Sequence, residues 1–218
     1  MSKPQGPATT LLAVAVALTI AGCTDDSQPT TEPVASPATP PLTFEEAYQQ
    51  VPMDGTERLP ITWELTGAPD TDEVLAARRS LAYEYWLSQA TDWSPIIAVG
   101  RYFYTDEYYD RSLAPYATTV SDNPYTGPIW AKVMGVEQTG TDHATVTFCA
   151  DLGYWHTAQS KDAKVREARG SVQSYVMENI TSADGEGHWL TAQRLDPDVD
   201  RRTKYGAECT KWAKHDKP

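Results

Sequence analysis

Cysteine, phenylalanine, histidine and methionine are scarce here: three, three, four and four among 218 residues. Positive charge is scarce too, with 18 Lys and Arg against 30 Asp and Glu and a formal charge of −12. That balance excludes nucleic acid as a partner, because phosphate recognition needs a clustered positive field. It also opposes electrostatic adhesion to anionic lipid. A membrane-spanning helix needs about 20 apolar residues, and the one noticeable apolar run, Leu11–Ile20, is half that. There is no H-x-x-x-H pair, no G-x-S-x-G elbow and no phosphate-cradling glycine loop, so no metal and no cofactor is expected. Hydrophobic residues make up 40%, under the roughly 45–50% of ordinary globular chains. Proline, at 16, is plentiful.

The N-terminus has the three parts of a secretory signal. Met1–Thr10 carries Lys3 and no acid, Leu11–Ile20 is apolar, and the small residues Ala21 and Gly22 precede Cys23. Ile20-Ala21-Gly22-Cys23 resembles a bacterial lipobox. The resemblance implies diacylglycerol in thioether linkage on Cys23 and removal of residues 1–22. Two acyl chains give stable anchoring where one gives only marginal binding. The expected location is therefore the outer face of a bacterial cytoplasmic membrane, with the membrane as the first partner. From Cys23 to Leu42 the chain is rich in Pro, Thr, Ser and acid. Such a segment cannot repay the entropy of ordering, and at roughly 3.1 Å per residue it reaches at most about 60 Å. It reads as a tether.

Folding begins near Thr43. Thr43-Phe-Glu-Glu46 fits a capping box and predicts a short helix to about Gln50 within an extension covering 43–70. Ile61–Leu65 reads as a short strand. The acids after Asp70, followed by Val74, Ala77, Leu81 and Tyr85 on one face, predict a helix over 71–90. Ser94-Pro95 and Thr105-Asp106 open two further helices, to about Tyr104 and Tyr116. Past Asn123-Pro124 the period changes. Strands are expected at 129–137, 143–151, 171–181 and 188–195. The second alternates, with Ala144, Val146, Phe148 and Ala150 on one side and Thr145, Thr147, Cys149 and Asp151 on the other. It should be half buried. The pattern is α+β: N-terminal helices packed on a curved antiparallel sheet of about four strands.

Helices followed by strands, with Cys149-Ala-Asp151 closing one strand and Gly187-His-Trp189-Leu190 opening the last, resemble the nuclear transport factor 2-like superfamily. More narrowly they are similar to its lipid-anchored actinobacterial members. The resemblance covers roughly residues 70–210, with the domain drawn at 71–212 and a basic tail at 213–218. It implies a cone with a pocket at its wide end, in a family that mixes isomerases, dehydratases and hydrolases with proteins of no known activity. Fold alone does not choose among them.

With Cys23 lipidated outside the cytoplasm, Cys149 and Cys209 remain for a disulfide. Closing some sixty residues is worth roughly 4 kcal/mol in the chain-entropy account. Two free thiols are the alternative. The candidate catalytic residues are Asp151 with His156, a carboxylate that could orient an imidazole, joined by Tyr104. Trp86, Tyr102 and Phe148 are the candidate pocket lining. Tyrosines outnumber phenylalanines twelve to three, which suits core rings with a polar end or the rim of a binding site. Residues 201–218 hold six basic and two acidic side chains and read as a solvated tail, or as a patch for an anionic polymer. The function expected is a non-catalytic binding or accessory module of the envelope, its partner an envelope protein or a small apolar ligand. The alternative is a pocket enzyme doing acid–base chemistry.

Overall fold

A computed structural model of the protein describes residues 41–160, 169–183, 185–195 and 199–216. The signal segment, Cys23 and the tether up to residue 40 lie outside the described residues, as does the end of the tail. Helix α1 spans Phe44–Gln50 and α2 Asp72–Gln89, with strand β1, Ile61–Glu64, between them. Helices α3, Ser94–Val99, and α4, Asp106–Ser112, each continue into a 3-10 turn. Strands β2, Tyr125–Thr126, β3, Ile129–Gln138, β4, His143–Asp151, β5, His156–Thr157, β6, Gly170–Thr181, and β7, Gly187–Leu195, follow. Helix α5, Val199–Trp212, closes the chain.

Both halves of the capping box at α1 form: Glu46 N donates to Thr43 Oγ1 and Thr43 N to Glu46 Oε2. At α2 the cap position is Thr71, but its side chain makes no capping bond. Ser94 is not the cap of α3 either. The cap position is Trp93, whose side chain makes no capping bond, and Asp92 just before it accepts from the Ser94 amide and hydroxyl at 2.9 and 2.7 Å. Thr105 does cap α4, accepting from Tyr108 N.

The fold is α+β, built on a mixed, open five-stranded sheet in the order β1-β3-β4-β6-β7. The four long strands fall within a residue of expectation and pair antiparallel. The expected count of about four is one short. Strand β1 joins the edge parallel to β3, with Ile61 opposite Ile129 and Glu64 opposite Lys132. Four residues carry too little periodicity to reveal a pairing partner.

Helix α2 lies across the inner face, its Leu81, Tyr83 and Ala77 sealed against Val146, Phe148, Tyr175 and Met177. The expectation of a half-buried β4 is corrected: every residue of it after His143 is buried. The reason is α5: the tail, read from the sequence as solvated but expected, with Cys149 on the Thr-bearing face and paired to Cys209, to fold back across the outside or edge of the sheet, is a helix on the outer face. Cys149 and Cys209 are disulfide-bonded there, with Cα atoms 5.4 Å apart. Tyr205 and Ala213 pack beside them. Gly135 makes the fit possible, because a Cβ at that position would lie 2.2 Å from the Tyr205 hydroxyl. Three bonds fasten the flanks: Trp212 Nε1 donates to Glu64 at 2.8 Å, and Arg201 and Lys204 reach Glu137 at 2.7 and 2.8 Å. Two side chains of the expected basic patch, Arg201 and Lys204, are thus engaged by Glu137.

Candidate functional site

The inner face of the sheet ends in a chamber of about 320 Å³. Helix α2 contributes Glu84, Leu87 and Ser88, whose three- and four-residue spacing puts them on one face. Trp93 precedes α3; Tyr104 and Tyr108 bracket the start of α4, their rings stacked at 5.2 Å. The opposite wall is the two-stranded ribbon of β2 and β5, which supplies Tyr125 and Trp155 stacked at 3.9 Å and 9°. Tyr85 meets Trp155 edge-on and Arg169 lies over its ring at 5.4 Å. Gly127 sets the closeness of the ribbon: its φ is +103°, and a Cβ there would sit 1.9 Å from the Tyr154 carbonyl oxygen. Only glycine tolerates both conditions.

The floor is polar. Arg194 on β7 pairs with Glu84 at 2.7 Å, their side chains 29% and 19% exposed. Tyr175 donates to the same carboxylate at 3.0 Å, and Tyr104 shares its one proton between Glu84 at 3.4 Å and the Ser80 carbonyl at 3.3 Å. Burial, and then the neighbouring Glu84 charge, push both phenols well above the usual tyrosine range. They stay protonated and act as donors. Tyr85 is raised as well, by burial, while its hydroxyl accepts from Gln173 Nε2 at 2.8 Å. A carboxylate with both oxygens already occupied by two phenols and a guanidinium is a poor base. Trp155 Nε1, on the wall, is buried and has no acceptor among the described residues.

Compared with known proteins, the chain matches no family model, no curated protein and no solved structure.

The structure separates the residues proposed for catalysis. Asp151 is fully buried on the outer face, opposite the chamber. It does hold an imidazole, but that of His215: the His215 amide and Nδ1 donate to Asp151 Oδ2 at 2.9 and 3.0 Å, and Gly153 N donates to Oδ1 at 2.9 Å. The His215 ring stacks on Trp130 at 5.0 Å and meets Trp212 edge-on. His156 lies on β5 with its Nδ1 against the Tyr154 carbonyl. Tyr104 is in the chamber. The expected pairing of Asp151 with His156 is corrected by the C-terminal turn, which delivers a closer ring than the loop does.

Of the expected lining, Phe148 is core, with no exposure, wedged against Trp63 and Tyr175. Tyr102 donates to the Leu42 carbonyl at 2.6 Å beside α1. Trp86 borders a separate recess with Thr56 and Gln89. Glu84, Arg194 and Trp155 were not expected. The available signal was a glutamate inside the apolar stripe of α2, three residues after Leu81. Among the described residues, no three His, Cys, Asp or Glu side chains are grouped to hold a metal ion. Among them, too, no helix is long and apolar enough to cross a membrane.

Proposed function

We propose that the protein is an envelope lipoprotein, anchored through Cys23, whose nuclear transport factor 2-like domain binds a small, ring-bearing apolar ligand without transforming it. The chamber carries this reading. Its walls are Trp93, Tyr104, Tyr108, Tyr125 and Trp155, and its floor is the Glu84–Arg194 ion pair. Concave, mostly apolar sites with a few fixed polar groups are where small molecules bind. An acid–base enzyme is supported less, since no histidine lines the chamber among the described residues and Glu84 is saturated. The anchor is consistent with a ligand met at the membrane surface, and the tether with a domain held clear of it.

The chamber is tested by screening apolar ring compounds for thermal stabilisation of the wild type and of Ser112→Phe, which adds a ring to the cavity lining. Compounds that stabilise only the wild type support the reading. Equal stabilisation of both proteins overturns it. The anchor is tested by Cys23→Ala, expected to leave the membrane fraction or to stay unprocessed. Normal processing with membrane retention removes the lipid from the account.

A further inference from the structure

We infer that the ligand of this chamber carries an uncharged hydrogen-bond acceptor, a carbonyl on a flat ring body, which takes up the indole N–H of Trp155. The inference rests on the chamber being a binding site and goes on to name the chemistry it selects.

Buried donors in native proteins almost always have acceptors, and an exception asks for a reason. Trp155 Nε1 is such an exception, on a ring that forms the chamber wall. The ring cannot find an acceptor by turning outward. It is stacked on Tyr125 at 3.9 Å, abutted by Tyr85 and covered by Arg169. It sits in the turn just before β5, and the ribbon that β5 forms with β2 pairs over only two residues per strand. A small yield of that wall toward an occupant is therefore the inexpensive movement, and it brings the N–H to the occupant. The remaining polarity of the chamber sets the charge. Glu84 and Arg194 neutralise each other at 2.7 Å, so an anion would face Glu84 and a cation would face Arg194. A neutral acceptor meets neither penalty. The rings set the shape, since flat walls pair best with a flat body in offset or edge contact.

A site built around a donor discriminates strongly against an analogue that leaves the donor unmet. The test uses three probes of nearly the same shape: acetylnaphthalene, ethylnaphthalene and naphthoate. Their binding to the full chain is measured by calorimetry, with Trp155→Phe as the comparison protein. The expected result is a preference of about tenfold for the ketone over the alkyl analogue, the scale of one neutral hydrogen bond against an orphaned donor. That preference should vanish in Trp155→Phe, and naphthoate should bind more weakly than the ketone. Should the variant fail to fold, the Trp155 indole N–H resonance of the wild type decides alone. It should move downfield with the ketone and not with the alkyl compound. Equal binding of ketone and alkyl analogue overturns the inference and leaves the chamber standing as a binding site. So does a preference that persists in Trp155→Phe. Tighter binding of naphthoate overturns the uncharged head group. Binding of none of the three overturns the inference together with the binding reading.

Discussion

Replacing Cys149 and Cys209 together by alanine should destabilise the protein by about 4 kcal/mol. The two residues are 60 apart in sequence, and removing that cross-link returns the corresponding loop-closure entropy to the unfolded chain. Packing adds little, because each change deletes one sulfur from a sealed site; the residues are 0% and 1% exposed. For a domain of this size a urea m-value of about 2 kcal/mol/M is ordinary, so the midpoint should fall by about 2 M. The assay is equilibrium urea unfolding of the full chain, followed by tryptophan fluorescence. A midpoint shift below about 0.5 M, with m unchanged, would refute the loop-closure reasoning. The variant should also change locally. In the wild type α5 cannot leave the sheet at Cys209. Without the bond it is held by Tyr205, by Glu137 and by the Asp151–His215 contact. Amides of α5 should then exchange through a partial opening well below the global unfolding free energy.

Acid should loosen the same helix. The Glu64 carboxyl lies below its ordinary value of 4.5, chiefly because Trp212 donates to it and then because of Lys132; Glu137 is lowered chiefly by Lys204 and then by Arg201. Both folded values lie below the unfolded ones, so the stabilisation is complete above about pH 4.5 and is lost as pH falls through the lowered values. Urea midpoints measured down to pH 3 should show this fall, roughly, and Glu64→Gln with Glu137→Gln should flatten it. Gly127→Ala should cost more than about 1 kcal/mol and weaken chamber ligands, because the site needs a left-handed residue without a Cβ. Thermal unfolding and ligand titration check both effects. Arg194→Met should cost about 2 kcal/mol, under the roughly 3–5 of a fully sealed pair because the guanidinium is 29% exposed. The double change with Glu84→Leu should recover at least half of that loss in urea unfolding.

The long elements were legible because their periods are strong. Strand β4 alternates cleanly, and α2 carries Val74, Ala77, Leu81 and Tyr85 at helical spacing. The disulfide followed from counting once Cys23 was set aside. The return of the tail over the outside of the sheet was legible from Cys149, but the helical form of α5 escaped because its buried positions are few, Tyr205 and Cys209 in a polar stretch. It is held to the sheet by a covalent bond and charged contacts rather than by an apolar stripe. The site was less legible than the fold. Asp151 was singled out, yet its partner came from 64 residues further on, a distance no local pattern reports.

The sequence by itself determined the class of the fold, the bounds of its long strands and the cysteine pair, since each depends on local period or on simple arithmetic. Tertiary structure alone decided which partner each polar residue meets. It put Asp151 behind the sheet with His215 and gathered Glu84, Arg194 and Trp155 from a helix, an edge strand and a two-residue ribbon. The scarcity of histidine and phenylalanine takes its meaning from that arrangement. Tyrosine and tryptophan build the walls, and their polar ends, satisfied or left waiting, are what a ligand meets.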